Sequence, residues 1–169
     1  MPDQQPNNAE LPIAIDDDET IVRAILTPWH INKKGDVKWQ ALKPQAEKSD
    51  LSVMRQRMGD GFCKDKAVDI GNGVPKNEYH GLLTVRADSI RKHNAQVTDS
   101  RDQFLGHADL DYQIVVPAND PPLEGDYKTL VDRIRSLLAL TVFHRDPAPN
   151  AAGWSGPALR LDAEPAPNS

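Results

Sequence analysis

The sequence predicts an α+β fold, with a small mixed or antiparallel sheet covered by a C-terminal amphipathic helix and with disordered ends. Three observations carry this expectation. Several short β-rich runs are separated by Gly, Pro and Asn turns. Residues 107–116 alternate fully, with His107, Asp109, Asp111 and Gln113 on one face and Ala108, Leu110, Tyr112 and Ile114 on the other. Residues 126–141 set Leu130, Val131, Ile134, Leu137, Leu138 and Thr141 along one helical face, with Asp126 as the cap. Short strands and one strong closing helix bury their apolar faces against each other, which defines the class.

The earlier elements follow in order. Residues 20–26 (TIVRAIL) read as a strand that Pro28 ends or bends. Asn32-Lys33-Lys34-Gly35-Asp36 reads as a turn, after which Val37, Trp39 and Ala41 alternate onto one side, so the two segments form a hairpin. Residues 51–55 (LSVMR) are a third strand, unless Asp50 caps a short helix there. Gly59-Asp60-Gly61 and Gly71-Asn72-Gly73 act as breakers around a short helix at 64–70. Residues 82–87 form another strand, and Asp88 or Ser89 caps one helical turn through Lys92.

A chain of 169 residues fits one domain, placed at 20–144. Residues 1–19 carry six acids and no base and read as a disordered acidic tail. In 145–169, Pro, Ala, Gly, Asn and Ser fill 17 of 25 positions, too little apolar surface to offset chain ordering, which makes this a flexible tail. Trp154, Leu159 and Leu161 are the exceptions, able to dock on the domain or on a partner. No run approaches the ~18 apolar residues of a membrane span. The start lacks the basic and apolar stretches of a secretory signal, so a soluble cytoplasmic protein is expected. Cys63, the single cysteine, can form no internal disulfide, and neither a metal nor a cofactor is expected.

Four groups of residues are candidates for chemistry. On a strand, His107, Asp109 and Asp111 line one face, an arrangement suited to a divalent metal or to acid–base work, and one that a solvated polar face accounts for fully. His30, beside Trp29 at the end of the first strand, is placed to act as a base, with Trp29 stacking on a ring-bearing ligand; a strand-end anchor has the same signature. Arg23 shares a face with Ile21 and Ile25, and Arg55 ends the LSVMR segment; each guanidinium can clamp a phosphate or carboxylate, or pair with an acid such as Asp109. Cys63 lies among Lys64 and Lys66, which act to lower its pKa, and is otherwise a loop cysteine. Residues 20–66 hold ten bases against five acids, with Trp29, Trp39 and Phe62 interleaved, the pattern of a single-strand nucleic-acid surface in a chain that is acidic overall.

In order, Arg23-Ala24-Ile25 with Pro28-Trp29-His30, then Leu51-Ser52-Val53, then Gly106-His107-Ala108-Asp109-Leu110, resemble a group of small uncharacterised bacterial proteins. The resemblance covers about 22–114 and implies a bacterial source and a small single domain. It implies no activity.

Three functional expectations result. The first is an accessory or protein-interaction module with a protein partner and no membrane role, whose N-terminal acids shield the basic region. The second is an enzyme or binder of a phosphate- or nucleotide-bearing ligand, using Arg23, Arg55, His107, Asp109, His30 and Trp29. The third is nucleic-acid binding by 33–66.

Overall fold

The computed structural model describes residues 11–73, 75–119 and 121–161. Six strands form one antiparallel sheet: β1 (Thr20–Thr27), β2 (Asp50–Arg55), β3 (Glu78–Arg86), β4 (Gln96–Asp99), β5 (His107–Asp111) and β6 (Val142–Arg145), in the order β4-β5-β2-β1-β3-β6. Three helices accompany it: α1 (Asp60–Asn72), α2 (Ala87–Lys92) and α3 (Gly125–Leu138). The fold is therefore α+β, as predicted.

β1 lies at the centre because both of its faces are apolar. Ile21 and Ile25 join Leu51, Val53, Leu83, Val85, Ala108 and Leu110 in the larger core. Leu130, Ile134 and Leu137 of α3 and Ile90 of α2 belong to that same cluster, while Leu138 is only partly buried and Thr141 lies beyond the end of the helix. Val22, Ala24 and Leu26 face the other way and pack with Met54, Leu82 and the α1 residues Cys63 and Ala67. α1 thus packs on one side of the sheet, and residues of α2 and α3 share the core cluster of the other.

Several expectations need correction. Val37 to Ala41 do not pair with β1; only an isolated bridge, Ile31 to Val37, survives, and Trp39–Leu42 is a 3-10 turn. β1 instead spends both edges on β2 and β3. The strand predicted over 107–116 stops at Asp111, because Gln113 takes φ of 61° and its amide bonds to the Asp111 carboxylate. No side chain caps α3: Asp126 lies in its first turn and Glu124 precedes it. β4 and β6 were not predicted at all.

The predicted tail of residues 1–19 is packed over the part described. Leu11, Ile15 and Glu19 are buried. Arg55 donates to the carbonyls of Pro12 and Ala14, Arg101 to that of Leu11, and Arg91 pairs with Asp17. Of the acids in this segment, Glu19 is held by Arg55 and Asp17 by Arg91, while Asp16 and Asp18 are exposed. Residues 1–10 and 162–169 lie outside the described residues. On the other side, residues 146–161 dock against α1. Lys64 pairs with Asp146 at 2.9 Å and donates to the carbonyls of Ala148, Ala151 and Gly153. Leu159 is fully buried in the α1-side cluster, with Trp154 against it, as the sequence allowed. Among the described residues no helix is long and apolar enough to cross a membrane.

Candidate functional site

β1 and β2 pair only at Ile21 with Arg55 and Val22 with Met54, and beyond that point the two strands part. Arg23 fills the opening. Its Nε donates to the Ala41 carbonyl at 3.1 Å and its Nη1 to the Ser52 carbonyl at 2.9 Å. Among the described residues no carboxylate reaches this guanidinium, and its Nη2 makes no hydrogen bond. Burial lowers its pKa to about 10, with the Tyr112 hydroxyl working the other way. A half-buried guanidinium whose hydrogen bonds go only to carbonyls keeps its charge unbalanced, because carbonyl dipoles do not neutralise charge.

The opening leads into a groove of about 890 Å³. α1 packs over β1 and β3, which leaves the same face of β2 and β5 uncovered. Register then sets the floor: Asp50 lies opposite Asp111, Ser52 opposite Asp109 and Met54 opposite His107, so Ser52, Asp109 and His107 share that face. The walls are residues 43–48 and 116–119, tied by Val116 N–H to the Lys48 carbonyl and Glu47 N–H to the Val116 carbonyl. Lys43 and Lys48 bring further positive charge, and Lys43 also lies 5.6 Å from the Trp39 ring. Asn77 lines the far end, where its Oδ1 is buried without a hydrogen-bond partner in the described structure.

Of the sequence candidates, the groove brings together Arg23, His30, His107 and Asp109. His30 is not a base. Its Nδ1 accepts the Leu26 amide at 3.0 Å, so the ring proton sits on Nε2, and burial with Arg23 and Lys38 nearby lowers its pKa to about 4. His107 is buried, and Asp109 is held above the ordinary carboxylate range chiefly by burial, with Asp50 and Asp102 adding to the rise. Ser100 stands across from His107, with Oγ at 2.5 Å from Nδ1. Trp29 is exposed and adjoins the groove through its neighbour His30.

Arg55 is elsewhere and is not a ligand clamp. Its guanidinium is buried on the opposite face from His107, paired with Glu19 at 2.6 Å and Asp99 at 2.7 Å rather than with Asp109. Strand alternation alone separates it, since Met54 is the residue that pairs with His107. The Cys63 thiol is buried beside the Arg55 carbonyl, and burial pushes its pKa up, not down as Lys64 and Lys66 suggested. With Arg55 and Lys64 both buried in ion pairs, the basic stretch does not form one surface. Asp111 ends β5 with its carboxylate on the Gln113 amide, and among the described residues no group of His, Cys, Asp and Glu is placed to hold a metal ion.

Sequence reasoning missed Ser100, Ser52, Asn77 and the groove walls. Ser100 was hidden because β4 (QVTD) holds one apolar residue and gives no alternating signal. No family model matches the chain, and no curated protein or solved structure matches it either.

Proposed function

We propose that this groove binds a small polar ligand bearing a phosphate or carboxylate, with Arg23 as its anchor. The observation that carries the reading is the Arg23 guanidinium, half-buried, turned into a groove and without a carboxylate among the described residues. An anion there would supply the missing charge and accept from Nη2, a charge-assisted contact of the strong kind. Lys43 and Lys48 on the wall favour the same sign of ligand. Exposed Trp29 next to His30 suits stacking on a ring-bearing portion, which makes a nucleotide-like ligand the leading member of the class. A bacterial, cytoplasmic setting belongs to this reading as well.

A protein-interaction module ranks second. It draws on the lack of a complete catalytic constellation in the sequence, on the acidic N-terminal run and on the Trp154-bearing tail, and the docking of 11–19 and 146–161 weakens the part that needs free tails.

Thermal-shift titration with inorganic phosphate, pyrophosphate and AMP tests the anchor. Ligand at 100 times its dissociation constant adds about 2.7 kcal/mol, a shift of several degrees in a domain of this size. Wild type should show a saturable shift with at least one of these anions. Arg23→Lys, which keeps a charge but loses the planar fork, should weaken that anion about tenfold or more. Equal affinity in Arg23→Lys, or silence with all three anions, would refute the reading.

A further inference from the structure

Opposite charges line the groove without pairing to each other. Arg23 ends on the carbonyls of Ala41 and Ser52, and Lys43 and Lys48 stand on the wall. The floor carries the other sign. Asp50 and Ser52 alternate on β2 and His107, Asp109 and Asp111 on β5, and the register sets Asp50 against Asp111 and Ser52 against Asp109. Three carboxylates therefore share the face that α1 leaves uncovered, where their like charges repel. Asp111 spends its carboxylate on the Gln113 amide. Asp50 and Asp109 line the groove, and among the described residues neither forms an ion pair with a lysine or an arginine.

The backbone also sets how far apart the two signs lie. Arg23 Nη1 is 2.9 Å from the Ser52 carbonyl, and Asp109 is one strand beyond Ser52. With strands about 5 Å apart, the guanidinium and the Asp109 carboxylate are separated by roughly 8–10 Å. One charge-assisted contact of about 3 Å at each end then leaves room for a linker of about two or three carbons. Beside Asp109 stands a further group that lacks a partner. The His107 side chain is only 8% exposed and lines the groove, and its Nε2 makes no hydrogen bond with a described residue. A buried ring that turns one nitrogen to a groove leaves that nitrogen for a polar group of the ligand.

We propose that the ligand of this groove is a zwitterion, a phosphate or carboxylate joined through a short linker to a protonated amine, with the anion on Arg23 and the ammonium on Asp109 and Asp50. This rests on the groove being an anion site. An ammonium has three donors and no acceptor, so it serves two carboxylates at once, whereas a hydroxyl has one proton to give. Its charge also relieves the repulsion between the aspartates of the floor. Because the strands hold Arg23 and Asp109 apart, neither cancels the other, and a ligand that carries both signs at the matching spacing neutralises both. A simple anion balances Arg23 alone and turns its own charge toward the acids of the floor.

The test is calorimetric titration of the full chain, free of divalent metal, with two matched pairs: 2-aminoethyl phosphate against 2-hydroxyethyl phosphate, and 3-aminopropanoate against 3-hydroxypropanoate. In one pair the amine should bind wild type at least about tenfold more tightly than its hydroxyl twin, and that pair identifies the anion Arg23 takes. Asp109→Asn, which keeps size and polarity, should bring the twins level without weakening the hydroxyl compound, and Asp50→Asn should reduce the preference in part. Arg23→Lys should weaken both twins alike. Twins that bind wild type equally, or a preference that survives with both aspartates replaced by asparagine, would overturn the proposal. So would amines that fail to bind a chain that binds phosphate, pyrophosphate or AMP, and so would a gain from added Mg2+ for the hydroxyl phosphate in place of any amine preference. The comparison of twins in wild type needs no variant to fold. Equal twins leave the anion anchor standing, whereas silence with phosphate, pyrophosphate and AMP removes it, so the two failures are distinct.

Discussion

At the scale of single residues, the role of His30 is set by one hydrogen bond. A backbone amide on Nδ1 leaves its neutral ring a donor at Nε2. The His30 arrangement also makes stability depend on pH. Its folded pKa of about 4 lies below the unfolded value of roughly 6.5, so the folded state binds fewer protons between the two. The stabilisation is complete above the unfolded value and is lost as pH falls through the folded one. We expect the urea midpoint to fall between pH 7 and pH 4, with a His30 contribution on the order of 3 kcal/mol. His30→Asn, whose side-chain oxygen can still accept from Leu26, should flatten that part of the profile; an unchanged slope would show that His30 is not its source. The sequence made His30, Arg23, His107 and Asp109 visible as residues of the right chemistry. It did not make visible the partners of the two rings, the Leu26 amide on His30 and the Ser100 hydroxyl beside His107, because both are set by how the backbone turns.

Among elements, the parting of β1 from β2 is the event that creates the site. After two paired positions the strands separate, and a guanidinium takes the place of ladder hydrogen bonds. Nothing in TIVRAIL or DLSVMR announces this, since both runs read as ordinary strands; the parting is a property of the pair. The strong strands and helices were legible because their periodicity is local, as in the Leu130, Ile134 and Leu137 stripe of α3. β6 was not, for VFHR is four residues long and is made a strand by β3. Gly81 shows how close that contact is: a Cβ there would sit 2.3 Å from the His144 carbonyl oxygen, a backbone atom that cannot rotate away. Gly81→Ala should therefore push β6 off the sheet, with faster amide hydrogen exchange at 142–145 and a loss of about 1–3 kcal/mol. Protection at 142–145 equal to wild type would mean that β3 and β6 adjust without separating.

Over the whole molecule, two charges from the segments that the sequence presented as tails, Glu19 and Asp146, prove to be internal. Arg55 gathers acceptors from Pro12, Ala14, Glu19 and Asp99, and Lys64 gathers Asp146 and three carbonyls from the C-terminal side. Composition could not reveal this, because a segment rich in Pro and acids looks the same whether its acids meet water or buried arginines. A chain that begins at Thr20 would leave Arg55 buried with Asp99 as its one remaining carboxylate. Breaking a buried pair in this way costs about 3–5 kcal/mol, so the urea midpoint should drop sharply, and an unchanged midpoint would show the 11–19 segment to be dispensable. The strand order has a further consequence, in time. β1, the first strand of the sheet in the chain, is its middle, and its two flanks arrive separately: β2 closes one side, and the other waits for β3, which begins at Glu78. Until then a half-made chain presents one bare edge of Ile21, Val22, Ile25 and Leu26, open to the same edge of another copy.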